Sequence, residues 1–436
     1  GNTLQVNGSW TNNGAFNAGT GTIEFAGTTN VSLSGSSSTT FKNFRINKGA
    51  VGNILQINKD IQLGGIITFT SGLMQINSGV TASCTFNAGF TIENNAGIFI
   101  NGGNFTTGTF SVSNNGLFRI DSGTATIGSN SGNSIVVTSN GTFDINGGNI
   151  NIAGRLEVSG GTADISGGTI NLNAVGQNSS STGSLDLSLS SDFTMSAGTI
   201  NFLNPNGSGN FDVIMLNGSG GSKTFTGGVF NFGDGTTDTY KISSAVPFPA
   251  ITSTANTNLE FKLLLTSAGT FNFPLVNNSG SVIPATVQFT GGAFSPGAFV
   301  EVKTTASKYT ENKSSVNFLK RFWTVSTSGI SNPVYNFTAS YSNGDISGTE
   351  AKIAMGAWSG SKPWIKYSVA NVGTNTLTAN SVSGTSLLFA GITSDPPTVD
   401  ISNGASVTIC SGSSVNLASV VSGDPVITYS WSPATG

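Results

Sequence analysis

The stretch GTFDINGGNIN, Gly141–Asn151, decides the fold: a glycine, a short alternating strand, an Asn-Gly-Gly turn and a second alternating strand. The same phrase returns as GLMQINSGVT (Gly72–Thr81), GIFINGGNFT (Gly97–Thr106), GLFRIDSGTAT (Gly116–Thr126) and GRLEVSGGTAD (Gly154–Asp164). Fainter copies stand at FTMSAGTINF (Phe193–Phe202) and KTFTGGVFNF (Lys223–Phe232). Repetition at a few tens of residues marks stacked units that bury their faces against one another. Gly79, Gly103, Gly123, Gly148 and Gly168 are separated by 24, 20, 25 and 20 residues. That spacing suits coils of a parallel β-helix with two or three short strands each. At about 22 residues and about 4.8 Å per coil, the roughly 230 residues of this region would form a rod of roughly 50 Å. The competing reading is a sandwich of hairpins, because NG and GG dipeptides also close hairpins.

Alternation assigns the interior. Ile76, Ile100, Ile120 and Ile145 read as one inward column, which a one-residue slip would expose entirely. Phe99, Phe118 and Phe143, taken as neighbours of that column, are expected to face outward or to sit at a bend. The turn asparagines Asn77, Asn101 and Asn146 are expected to stack as side-chain amide ladders, as identical polar residues do in stacked strands.

Composition narrows the function classes. Charged residues are 8% of the chain, Gly is 59 of 436 and His is absent, against about 25% charged residues in ordinary soluble domains. Yet 29 Phe and 37% hydrophobic residues supply enough apolar surface for a core. A net charge of −3 gives no basic field for nucleic acid. No run of about 18 apolar residues is present to span a membrane. Cys84 and Cys410 lie far apart, in segments of different character, and outside any metal-binding spacing. Low lysine and cysteine with abundant Asn, Thr, Ser and Gly fit an extracellular bacterial surface protein. Without an N-terminal leader, and ending in mid-pattern, the chain reads as a piece cut at both ends.

The texture changes near Tyr240. LEFKLLLT (Leu259–Thr266), AFVEVKTT (Ala298–Thr305), RFWTVST (Arg321–Thr327), VYNFTASY (Val334–Tyr341) and SLLFAGI (Ser386–Ile392) alternate well, as the strands of an antiparallel β-sandwich do. Beyond a stiff DPP linker at Asp395–Pro397, Cys410 and Trp431 stand as on early and later strands of an Ig-like module. The partner of Cys410 is then expected beyond Gly436. The expected organisation is all-β: a β-helical region over 1–238, a β-sandwich over 239–395 and a partial Ig- or PKD-like module over 396–436.

FNFPLVNNSGSVIPATVQF (Phe271–Phe289), VNFLKRFWTVSTSG (Val316–Gly329), GTEAKIAMGAWSGSKPW (Gly348–Trp364) and the ICSGSS phrase at Ile409–Ser414 carry a resemblance. Together they resemble modules of large secreted surface proteins of Bacteroidetes, where a Gly/Asn-rich repeat region precedes such a sandwich and Ig- or PKD-like repeats follow. The resemblance covers about 200 residues well and the repeat region by texture. It implies cargo of type IX secretion, similar to giant surface and gliding-motility adhesins. It brings no catalytic residues to transfer. The implied location is the cell surface. The implied partners are other surface or secretion-machinery proteins, a polysaccharide or abiotic surface, or further copies of the chain.

Each chemical candidate has a plainer alternative. Asp121, Asp144 and Asp164 recur about one coil apart, as paired carboxylates of a polysaccharide-cleaving enzyme would. Asp replacing Asn in an Asx-turn explains them as well. GDGTTD places Asp234 and Asp238 in a glycine turn of the kind that binds Ca²⁺. Two carboxylates fall short of the six to eight oxygens calcium takes, and the alternative is a domain-junction turn. Without His no ordinary Ser-His-Asp triad can form. Trp358 and Trp364, around a WSGSKPW turn, are candidate glycan-stacking rings, whereas Trp323 reads as core. An ice-binding face would need a regular T-x-T column, and TATIG and TINL recur only sporadically along the sequence. The expectation is a non-enzymatic adhesive or structural surface protein with no required cofactor, calcium being the one ion with a candidate site. The rivals are a carbohydrate-binding or carbohydrate-active β-helix and a filament subunit.

Overall fold

A computed structural model describes residues 1–85, 89–108, 111–207, 209–216, 220–233, 239–244, 250–253, 258–265, 267–273, 275, 277, 281–361, 363–395, 398–401, 411 and 419–422. The chain is nearly all β, with 58% strand and 2% helix. It divides into two compact units, residues 1–259 with 278–281, and the remainder from Glu260.

The first unit is a parallel β-solenoid of about 10 turns, and the hairpin alternative is excluded by its parallel pairing. Each complete coil contributes three strands. In one coil these are Ile135–Val137, Thr142–Ile145 and Asn149–Ile152; in the next they are Leu156–Val158, Thr162–Ile165 and Thr169–Leu172. Each strand pairs in parallel with its equivalent one coil on, so that Ile135 faces Leu156, Ile145 faces Ile165 and Ile150 faces Ile170. Three stacks result, termed the first, second and third sheets in the order the chain visits them. The coil is 20 residues between Asn151 and Asn171 and 30 between Asn171 and Asn201. The longer coils carry their additional residues between the third sheet and the following first-sheet strand, at 173–184 and 203–212.

Strand alternation sends every second side chain inward, and these make a closed apolar interior. Ile76, Ile100, Ile120, Ile145 and Ile165 are fully buried in the second sheet and stack in register. The expectation for the phenylalanines needs correction. Phe118 and Phe143 lie two residues before Ile120 and Ile145, so they share their direction. Both are fully buried, with ring centroids 5.8 Å apart and 19° between planes. Phe99, one residue before Ile100, does face outward, with the Arg119 guanidinium 5.1 Å from its ring centroid.

Glycine closes the corner between the second and third sheets. Gly148, Gly168 and Gly198 hold φ of +68°, +73° and +85°, a region costly for L side chains. A Cβ on Gly168 would also stand 2.7 Å from the carbonyl oxygen of Gly147 in the preceding coil. The repeated glycine is thus a requirement of both backbone twist and coil-to-coil approach.

The second unit is antiparallel, as its sequence pattern predicts. Ala285–Thr305 pairs with Phe322–Ser340, which pairs in turn with Thr376–Ser383 and Ser386–Thr393. Ile353–Trp358 lies between Ser386–Thr393 and Ile365–Val369. These strands fit a sandwich around fully buried Trp323, Tyr335, Phe337 and Phe389. Arg321 and Asp345 form a buried ion pair at 3.0 Å, and Arg321 also donates to Thr304 Oγ1. Further along, Thr398–Ile401 pairs antiparallel with Ser419–Ser422; Cys410 and Trp431 lie outside the described residues.

Candidate functional site

The outward positions of the solenoid separate by chemistry. The second sheet presents Gln75, Phe99, Arg119, Asp144, Asp164 and Thr194 on successive coils. Of the three carboxylates expected about one coil apart, Asp144 and Asp164 are direct register neighbours, whereas Arg119 is the partner of Asp144 in the preceding coil and Asp121 stands two residues beyond it, beside Asn146. Arg119 organises them. It donates to both carboxylate oxygens of Asp121, at 2.8 and 2.9 Å, and stands 3.6 Å from Asp144. The Arg119 hydrogen bonds hold the Asp121 carboxyl below its usual range. Asp144 is pushed upward, first by burial and then by the charges of Asp164 and Asp121, against the opposing pull of Arg119. On the first sheet, Glu157 and Asp186 are likewise register neighbours, and burial followed by the Glu157 charge raises Asp186.

The third sheet is different. Its outward pairs are Thr81 and Ser83, Asn104 and Thr106, Thr124 and Thr126, Asn149 and Asn151, Thr169 and Asn171, then Thr199 and Asn201. Beneath them Ala82, Phe105, Ala125, Ile150, Ile170 and Ile200 fill the interior. None of these twelve outward side chains is ionisable or aromatic. Along the second outward column the amides join directly. Asn171 donates to Asn151 at 2.7 Å, Asn201 to Asn171 at 2.7 Å and Asn231 to Asn201 at 3.1 Å.

An amide ladder therefore exists, displaced from where the turn asparagines place it. Among the turn residues, Asn146 donates to Asp121 at 2.9 Å and accepts from Ser166 at 2.6 Å. Asn77 donates to Asn58 and accepts from Gln75. Asn77 and Asn58 thus form a single amide pair between neighbouring coils, the Gln75 bond stays within one strand, and Asn146 is linked to Asp121 and Ser166 with no further amide in line. The sequence signal for the strand ladder was the series NIN, TIN, TIN and VFN at 149–151, 169–171, 199–201 and 229–231. The T-x-T motif, sporadic along the sequence, belongs to a continuous Thr/Asn column in the fold, because Thr and Asn occupy equivalent positions in register.

The remaining candidates fall elsewhere. Trp358 and Trp364 are packed against each other, with centroids 5.1 Å apart, in a buried cluster with Leu388, Ala390 and Ile392. Trp364 Nε1 donates to the Glu311 carbonyl at 3.4 Å, so these rings are core and offer no open stacking platform. Trp323 is core, as expected. Asp234 and Asp238 lie outside the described residues, and among the described residues no group of three or more His, Cys, Asp or Glu is placed to hold a metal. Cys84 points into the solenoid interior, where burial pushes its thiol far above the ordinary range; thiolate chemistry is suppressed there. No described helix is long and apolar enough to cross a membrane. Comparison with family models, curated proteins and solved structures returns no match to this chain.

Proposed function

We propose that this chain is part of an extracellular adhesive protein of the bacterial surface, in which the solenoid serves as a stiff projecting element and its outer side chains make contact. The observation that carries this reading is the third sheet, where short uncharged polar side chains repeat on coil after coil over a closed apolar core. Such an arrangement supplies many equivalent weak contacts, which suits attachment to an extended surface. The resemblance of residues 271–364 to secreted surface proteins of Bacteroidetes supports an extracellular location and export as type IX cargo. Labelling intact cells with an antibody to this chain, together with protease shaving, tests location. Accessible chain, and loss of attachment when the gene is deleted, are the expected results; chain protected inside the cell would refute the proposal.

A second reading, a carbohydrate-active face, draws on Asp144. Its raised, half-buried carboxyl beside Asp164 is the kind of pair that acid–base chemistry uses. The ion pairs to Arg119 give the same residues a structural role. Release of reducing sugar by the purified chain, abolished in Asp144→Asn, would establish the enzyme; no release over a panel of polysaccharides would remove it.

A further inference from the structure

We infer that the third sheet of the solenoid is a binding face for a neutral polysaccharide presented as an ordered, insoluble surface. This inference rests on the adhesive reading and names its target chemistry.

Three features of the face select that partner. First, the twelve outward positions from Thr81 to Asn201 carry no charge, whereas the second sheet holds Arg119, Asp144 and Asp164 and the first holds Glu157 and Asp186. An anionic polymer would find no counter-charge on the third sheet, and a neutral one loses nothing there. Second, the chemistry is two-sided. An amide offers two donor hydrogens and two acceptor lone pairs. Asn171 uses one hydrogen towards Asn151 and one lone pair towards Asn201, so the ladder fixes the orientation of each amide while retaining a donor and an acceptor. Sugar hydroxyls are themselves donors and acceptors and match such a row. Third, from Asn151 through Asn171 and Asn201 to Asn231 the amides repeat at the coil spacing of about 4.8 Å, so an extended chain lying along this part of the column meets a fresh amide at each of these coils, and hydroxyls of Thr106 and Thr126 before them.

The same features set the affinity regime. A neutral hydrogen bond to a sugar hydroxyl largely replaces one to water and contributes little net, while association costs translational and rotational freedom that several such bonds together must offset. With no aromatic ring on these positions to stack against a sugar, a short oligosaccharide gains too little to bind. A crystalline surface engaging all the coils at once gains enough. The face does not favour ice, for which matched Thr columns would be required. Thr occupies both outward positions only in the Thr124–Thr126 coil, and the second column is Asn from Asn151 onward.

The test is co-sedimentation of the full chain with microcrystalline cellulose and with chitin, in parallel with soluble cellohexaose and with alginate. Binding to one of the insoluble neutral polymers, without measurable binding to cellohexaose or alginate, is expected. The triple variant Asn151→Ala/Asn171→Ala/Asn201→Ala should lose at least tenfold in affinity. Because the ladder also contributes to stability, Thr169→Lys/Thr199→Lys provides a second probe that leaves the amides in place, and should lose as much. Thr194→Lys, on the second sheet, should bind as the parent does. Failure of the parent chain to bind either solid, or full binding by the lysine variant, overturns the inference while leaving surface location and attachment to other materials intact. Thermal hysteresis of freezing solutions, or dimerisation seen by sedimentation, abolished by the same variants in the absence of polysaccharide binding, would reassign the face to ice or to a second copy.

Discussion

The solenoid and the antiparallel unit solve the same problem, closing an apolar core from strands, in opposite ways. In the solenoid a buried residue meets its equivalents 19 to 30 residues away, as Ile57 meets Ile76 and Ile170 meets Ile200. In the antiparallel unit closure depends on distant segments: Trp323 faces Phe389 across the sheet, and Asn312 donates to the carbonyl of Gly391, 79 residues away. A defect in the solenoid should therefore be felt by adjacent coils, whereas a defect in the antiparallel core should be felt by the whole unit. Stability in stacked repeats is a sum of near-neighbour terms.

The largest effect is expected from Trp323→Ala, which empties the centre of the antiparallel core at a cost of about 3–5 kcal/mol. Hydrogen exchange should show protection lost throughout 285–393 while the amides of Ile145 and Ile165 stay protected. Spread of the loss into the solenoid would contradict the contrast. Next is Gly168→Val, which places a β-branched side chain at positive φ against the carbonyl of Gly147; about 2 kcal/mol or more is expected. Its exchange signature should be confined to the coils on either side. Asn171→Ala removes one member of the amide ladder and should cost about 1 kcal/mol, read as a shift of the urea midpoint without change in slope.

The smallest effects are electrostatic. Arg119 depresses the Asp121 carboxyl, so this pair stabilises the fold above the ordinary carboxylate range and loses that contribution as pH falls through the native value. Asp121→Asn should cost under about 1 kcal/mol at pH 7, as partly exposed pairs do, and less at pH 3. Asp144 has the opposite sign. Its raised native value means that its contribution fades as pH rises through that value, so Asp144→Asn should be neutral or slightly stabilising at pH 7. Urea midpoints at the two pH values, compared between variants, check both.

The glycine phrase made the solenoid legible because the corner takes positive φ and close coil approach together at Gly123, Gly148, Gly168 and Gly198, leaving one residue type free to recur there. Parity made the isoleucine column legible, and the same parity places Phe118 and Phe143 inside. The Thr/Asn face was harder to see. Thr and Asn alternate at equivalent positions, and the coil lengthens from 20 to 30 residues after Asn171, so neither one residue type nor one period marks the column. Trp358 and Trp364 could not be placed from their own turn, because the residues that cover them, Leu388 to Ile392, come from a strand some thirty residues later.

The most direct test of the account measures distances along the third sheet. Spin labels at Ser83 paired in turn with Thr126, Asn151, Asn171 and Asn201 should give backbone separations of about 10, 14, 19 and 24 Å, growing by about 4.8 Å for each added coil. Separations that rise with the number of intervening residues, jumping at the 30-residue coil, or that fold back as in hairpins, would contradict the parallel register on which the solenoid and its Thr/Asn face both depend.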